Sequence, residues 1–150
     1  MAKALVVYDS MFGNTVKIAN SLAAGLKNDG VDADIVKADA VKVDELGGVD
    51  LLCVGSPVHA WNMTKAVKEF LDGLKGTAGL AGKRAFAFDT KMKTRFSGSA
   101  ADKIEKKLKD AGFVIAKRNE TAIVKAKEGP LEEGAEEAFT QIGAELAKTL

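Results

Sequence analysis

The chain has 150 residues, 47% of them hydrophobic, with 22 Lys and Arg against 21 Asp and Glu and a formal net charge of +1. That length suits a single domain over 1–150, and the apolar content is enough for a core and too high for a disordered chain. Near-neutrality gives no global electrostatic reason to expect nucleic acid or an anionic membrane as partner, and no apolar run approaches the ~20 residues of a bilayer span.

In chain order, Ala4-Leu5-Val6-Val7-Tyr8 is a continuous apolar run, as expected of a strand covered on both faces. Ile18, Ala19, Leu22, Ala23 and Leu26 then fall on one face at helical spacing. Val31, Ala33 and Ile35 alternate with Asp32 and Asp34, the period of a half-exposed strand near a sheet edge. Residues 38–49 read as a connection with one helical turn around Val43–Leu46. Leu51-Leu52-Cys53-Val54 is a second buried strand. Val67, Phe70, Leu71 and Leu74 give the stripe of a helix begun by Thr64. Ala85-Phe86-Ala87-Phe88 is a third buried strand, followed by a helix with Ala101, Ile104, Leu108 and Ala111 inward and a stop at Gly112. Phe113–Ala116 forms a strand, with a resumption at 121–124 left open by the polar turn Lys117–Glu120. Pro130 opens the last helix, whose glutamates Glu132, Glu133, Glu136 and Glu137 lie near the positive end of its dipole.

Strand and helix alternate about five times, which means βαβ units and a parallel sheet with helices on both faces. Only the second strand alternates, so it belongs at an edge. That fits a doubly wound, five-stranded α/β sheet of order 2-1-3-4-5, with a ligand site beyond the carboxyl ends of strands 1 and 3. The chemistry is therefore expected in the loops after strands 1, 3 and 4.

The first of these reads Asp9-Ser10-Met11-Phe12-Gly13-Asn14-Thr15 and runs straight into a helix. Ser10 and Thr15 can donate hydroxyl bonds, the free N–H groups of the first turn converge nearby, and Gly13 lets the backbone approach a ligand. The same residue types cap helices, so spacing alone leaves phosphate binding and simple capping both open. The loop lacks GxxxxGK[ST] and GxGxxG, which excludes a nucleoside-triphosphate P-loop and a dinucleotide fingerprint.

The string VVYDSMFGNTVKIA resembles the phosphate loop of flavodoxins and flavodoxin-like domains, and the similarity continues through Gly55-Ser56-Pro57, Phe70-Leu71-Asp72-Gly73-Leu74 and Ser97-Gly98. The resemblance implies a flavodoxin-like fold with flavin mononucleotide (FMN) as cofactor. Ser10, Met11, Phe12, Gly13, Asn14 and Thr15 would lie around the phosphate. Pro57, Val58, His59, Ala60, Trp61 and Asn62, from the loop after strand 3, would frame one side of the flavin ring. His59 and Trp61 are the only His and Trp in the chain. Trp61 is a natural stacking partner for a flat ring, a core-capping Trp being the other option, and His59 beside a flavin would tie the potential to pH. Electron carriers of the family often have Gly where this chain has Ala60, and a left-handed backbone costs Ala more.

The loop after strand 4, Asp89-Thr90-Lys91-Met92-Lys93-Thr94-Arg95-Phe96-Ser97-Gly98, departs further from the family. Asp89, Thr90, Lys91 and Phe96 are its candidate cofactor residues, with Phe96 or Met92 taking the face that a tyrosine often covers. It carries three cations in five residues. Cations stabilise the anionic reduced flavin, so Lys91 or Arg95 near the ring would make a less extreme reductant than a typical flavodoxin.

Two functions follow from the resemblance. One is an FMN electron carrier that docks on redox partner proteins bearing acidic patches, with salt-sensitive association. The other is an FMN-dependent oxidoreductase acting on a small molecule, of the quinone or protoporphyrinogen oxidase type. A receiver domain would need an Asp at the end of strand 3, where Gly55-Ser56 stands. No metal site is visible, since a lone His and a lone Cys lack convergent ligands. The single Cys53 excludes an intrachain disulfide, and the N-terminus lacks a signal-peptide pattern, so a cytoplasmic location is expected.

Overall fold

A computed structural model describes residues 1–93 and 98–150. The elements are β1 (Lys3–Tyr8), α1 (Asn14–Asn28), β2 (Asp32–Lys37), a 3₁₀ segment (Val43–Gly48), β3 (Leu51–Pro57), α2 (Lys65–Leu74), β4 (Arg84–Met92), α3 (Ala101–Asp110), β5 (Val114–Ile115), β6 (Glu120–Val124) and α4 (Ala135–Ala147). The strands form one parallel sheet in the order β2-β1-β3-β4-β5, with β6 also paired to β4.

The pleat explains why the central strands read as unbroken apolar runs. Leu5, Val7, Leu52, Val54, Ala85 and Ala87 point to one face, where Val67, Phe70, Leu71 and Leu74 of α2 and Ile104 and Leu108 of α3 cover them. Ala4, Val6, Leu51, Cys53, Phe86 and Phe88 point to the other, beneath Ile18, Leu22 and Leu26 of α1 and Phe139, Ile142 and Leu146 of α4. Each large aliphatic or aromatic side chain so buried contributes roughly 1.5–3 kcal/mol. The alternating strand is β2, at the edge, as its pattern predicts.

Two glycines bring α1 and α4 into contact. A Cβ on Gly25 would overlap the Thr140 carbonyl, and one on Gly143 would overlap the Leu22 carbonyl, so the two helices approach at backbone distance.

The structure departs from the sequence expectations in three places. The fifth strand is split: β5 pairs with Arg84 and Ala85, while β6 pairs with Phe88–Met92. Because β6 supplies a partner that far along, β4 runs through Met92. Asp89, Thr90, Lys91 and Met92 are therefore strand residues rather than loop. The last helix starts at Ala135, not at Pro130. Residues 130–132 instead run back along β6, through Lys125 N donating to Pro130 O and Glu132 N donating to Ile123 O. Gly134 at φ 84° then turns the chain into α4, whose first turn holds Glu136 and Glu137 but not Glu132 or Glu133. Finally, Thr64 stands at the N-cap of α2 without a side-chain cap bond, its buried Oγ1 unpartnered.

No helix among the described residues is long and apolar enough to cross a membrane.

Candidate functional site

Parallel strands place all their carboxyl ends on one edge, and there β1, β3, β4 and β6 surround a cavity of about 300 Å³. That lies at the lower end of small-molecule sites, which run to roughly 300–1,000 Å³. The β1–α1 turn forms one wall, the β3–α2 loop a second, and the ends of β4 and β6 a third.

At the first wall, the residue before α1 is Gly13, left-handed at φ 88°, with nothing within 4 Å of where a Cβ would sit. No side chain among the described residues caps this helix. Ser10 turns inward instead, its Oγ accepting from Gly13 N at 3.1 Å, and Asp9 Oδ1 accepts from Ser10 N. The first-turn N–H groups and the positive end of a 15-residue helix are thus left for an anion. Asn14 and Thr15 are buried beside them. Thr15 Oγ1 lies 2.8 Å from Thr90 Oγ1, a hydroxyl pair that joins α1 to β4. Asn14 Nδ2 donates to Glu128 O at 3.2 Å, which draws the segment after β6 onto the same corner.

The second wall is a tight turn. His59 N donates to Asn62 O at 2.7 Å and Asn62 N to His59 O at 3.0 Å. Between them, Ala60 (φ 49°) and Trp61 (φ 63°) both have positive φ, the pattern of a type I′ turn. A left-handed conformation costs a non-glycine residue about 1–2 kcal/mol, so this turn is held by its surroundings. Gly98, at φ 70°, packs against it so closely that a Cβ there would come within 2.8–2.9 Å of Trp61 Cβ, Cα and Cδ1. Lys103 Nζ donates to Trp61 O at 2.8 Å. Trp61 stays 61% exposed at the cavity mouth.

The third wall is the extended end of β4. Thr90 and Lys91 line the cavity, and Lys91 Nζ donates to Gly98 O at 3.0 Å. Asp89 is fully buried, on the face of β4 opposite Thr90, and its carboxylate is taken up by neighbouring elements. Its Oδ2 accepts from Ala100 N and Ala101 N, each at 3.0 Å, and from Ser99 Oγ at 3.4 Å; its Oδ1 accepts from Thr121 Oγ1 at 2.6 Å. Asp89 thus fastens the start of α3 and β6 to β4 and does not face the cavity.

Of the sequence candidates, Met11, Phe12, Asn14, Thr15, Pro57, Val58, His59, Ala60, Trp61, Thr90 and Lys91 line the cavity together. Ser10, Gly13 and Asn62 shape its loops from behind; Asn62 Oδ1 accepts from Met63 N. Phe96 and Arg95 lie outside the described residues. Sequence reasoning missed Val124 and Lys127, which complete the lining. The resumed strand at 121–124 was the only signal that could have led to them. Cys53 is buried in β3 with its thiol pushed up by desolvation, which suits packing and not nucleophilic chemistry.

Fold and site together define a doubly wound α/β protein with a ligand-sized cavity at the carboxyl edge of its sheet. The profile of the flavodoxin family matches residues 6–142, and the chain belongs to that family. FMN is the family's cofactor, and electron transport is its role. The chain is 33% identical to a flavodoxin of Maridesulfovibrio salexigens over 122 residues, 77% of this chain and 82% of that one. It is 32% identical to a diflavin flavoprotein of Thermosynechococcus vestitus over 75% of its own length, but spans only 20% of that much longer protein. The crystal structure of oxidised flavodoxin 1 from Bacillus cereus superposes with a TM-score of 0.86 over 99% of both chains; at 22% identity this speaks for the fold alone.

Proposed function

We propose that this chain is a single-domain, cytoplasmic electron carrier that holds FMN in the edge cavity and passes electrons between partner proteins. The observation that supports it most is the N-terminus of α1. A left-handed Gly13, an uncapped first turn, and buried Asn14 and Thr15 make an anion seat at the inner end of a cavity whose mouth is aromatic. The residues present fit the cofactor. Met11–Thr15 would hold its phosphate by neutral donors and the helix dipole, with Ser10 bracing that loop from behind and Thr90 holding the Thr15 hydroxyl in place. Trp61 and Met92 would flank the ring, and Lys91 would set the electrostatic field beside it. When bound, FMN supplies one- and two-electron redox chemistry that no side chain here could supply. The turn at 59–62 packs closely against Gly98, which positions that wall.

The test is a titration of the purified protein with FMN, followed by flavin fluorescence and visible absorption. Tight one-to-one binding is expected, weakened by roughly tenfold or more in Gly13→Val, where a β-branched residue must adopt a left-handed backbone. Absence of binding by the wild type would refute the proposal. Sustained turnover of a quinone or of protoporphyrinogen, with no partner protein added, would replace the carrier by a small-molecule oxidoreductase.

A further inference from the structure

The surface around the cavity mouth is apolar at its centre and basic at its margin. Seven large hydrophobic side chains are exposed among the described residues, and four of them, Met11, Phe12, Trp61 and Met92, line this one cavity. An apolar cluster gathered at one site, rather than scattered singly, is the mark of a surface that another molecule covers.

The margin is lysine-rich. Lys91 and Lys127 line the cavity; Lys93 and Lys125 line an adjoining groove that shares Met92 and Val124 with it; and Lys103 reaches the Trp61 carbonyl. None of these five takes part in an ion pair among the described residues. Lys65, Lys68, Lys106, Lys107, Lys109 and Lys117 are ion-paired, while the other described lysines, such as Lys17, Lys27, Lys37 and Lys75, are like the five in having no ion pair among the described residues. Against the five stand Glu128 and Glu132. The groups named put five lysines against two glutamates at this margin, in a chain whose formal charge is only +1.

From this we infer that the mouth is a docking surface for an acidic redox protein, one that presents carboxylates around its own exposed cofactor. The inference rests on the proposed function, which supplies the reason for a redox partner, and goes beyond it in fixing the partner's charge. Met11, Phe12, Trp61 and Met92 supply the desolvated centre. The unpaired lysines supply orientation and a fast, salt-sensitive encounter. A basic protein is repelled from the same mouth, which gives the carrier its selectivity.

The test uses the FMN-loaded protein with two probes, the acidic plant-type [2Fe–2S] ferredoxin and the basic cytochrome c, titrated calorimetrically at low and moderate salt. Ferredoxin is expected to bind, and to weaken roughly tenfold or more between about 20 and 200 mM NaCl, while cytochrome c gives no binding. The double variant Lys93→Glu/Lys125→Glu, both exposed, should weaken ferredoxin roughly tenfold or more and leave FMN affinity unchanged. The matched reversal Lys65→Glu/Lys106→Glu should leave ferredoxin binding as in the wild type. Failure of ferredoxin to bind, a salt-independent affinity, an unaffected double variant, or tighter binding of cytochrome c would each overturn the inference. Because FMN affinity is measured separately, loss of flavin binding would count against the proposed function and not against the charge of the docking surface.

Discussion

Replacing Asp89 by alanine removes an acceptor that two backbone amides and two hydroxyls share inside the protein. The amides belong to Ala100 and Ala101, both fully buried, and among the described residues Asp89 Oδ2 is the acceptor recorded for each. An orphaned buried donor costs about 1–3 kcal/mol. The Ser99 and Thr121 hydroxyls can rotate and lose less. Asp89→Ala should therefore destabilise the fold by about 3–5 kcal/mol, a large part of the 5–15 kcal/mol typical of a domain. At roughly 2–4 °C per kcal/mol for a domain of this size, that is a fall of about 10 °C in melting temperature. Asp89→Asn separates acceptor count from charge. Its carbonyl still serves both amides, and its NH2 can donate to Thr121 once that hydroxyl turns round, so a loss of only about 1 kcal/mol is expected. Urea denaturation of the three proteins, followed by circular dichroism, reads the difference directly. An alanine variant within 1 kcal/mol of wild type would refute this account, and so would an asparagine variant as unstable as alanine.

Other predictions follow from the same geometry. Gly143→Ala places a methyl against the Leu22 carbonyl and should force α1 and α4 apart at a cost of about 3 kcal/mol or more, visible as a lowered thermal midpoint; an unchanged midpoint would show that the helices can slide. Asp72 is held down to about 2 by hydrogen bonds from Lys107 and then Lys68, with their charges adding. A depressed carboxyl contributes stability above its unfolded value and loses it as pH falls through its folded value. The stability gap between wild type and Asp72→Asn should therefore be constant from neutrality to about pH 5 and shrink steadily towards pH 2, and a gap undiminished at pH 2 would contradict the ion-pair origin. Lys91→Met removes a cation from the cavity wall and should lower the two-electron potential of the FMN-loaded protein. An interaction of about 1–3 kcal/mol corresponds to roughly 20–60 mV, readable by spectroelectrochemistry, whereas a raised potential would place the charge away from the ring. Cys53, buried with its thiol pushed up, should react with aromatic disulfide reagents only after unfolding; a rapid native-state reaction would show that β3 opens locally.

What the sequence determined by itself is the order of elements, the parallel sheet, the edge position of β2 and the place of the β1–α1 loop at the carboxyl edge. These are legible because burial imposes a local period: continuous for Leu51–Val54, which is covered on both faces, two for Val31–Ile35, three to four for Val67–Leu74. What the tertiary structure decided are the features that depend on partners far along the chain. Asp89 looks like a loop carboxylate in sequence and is an internal acceptor, because its donors arrive from residues 99–101 and 121. Lys91 enters the cavity wall because β6 extends β4 to Met92, and Val124 and Lys127 join the lining through that same pairing. The paired positive φ angles at Ala60 and Trp61 run against local preference and are braced by the His59–Asn62 backbone bonds, by Gly98 and by Lys103. Local periodicity records how much of each residue is covered, but not what covers it. The site is made almost entirely of the latter.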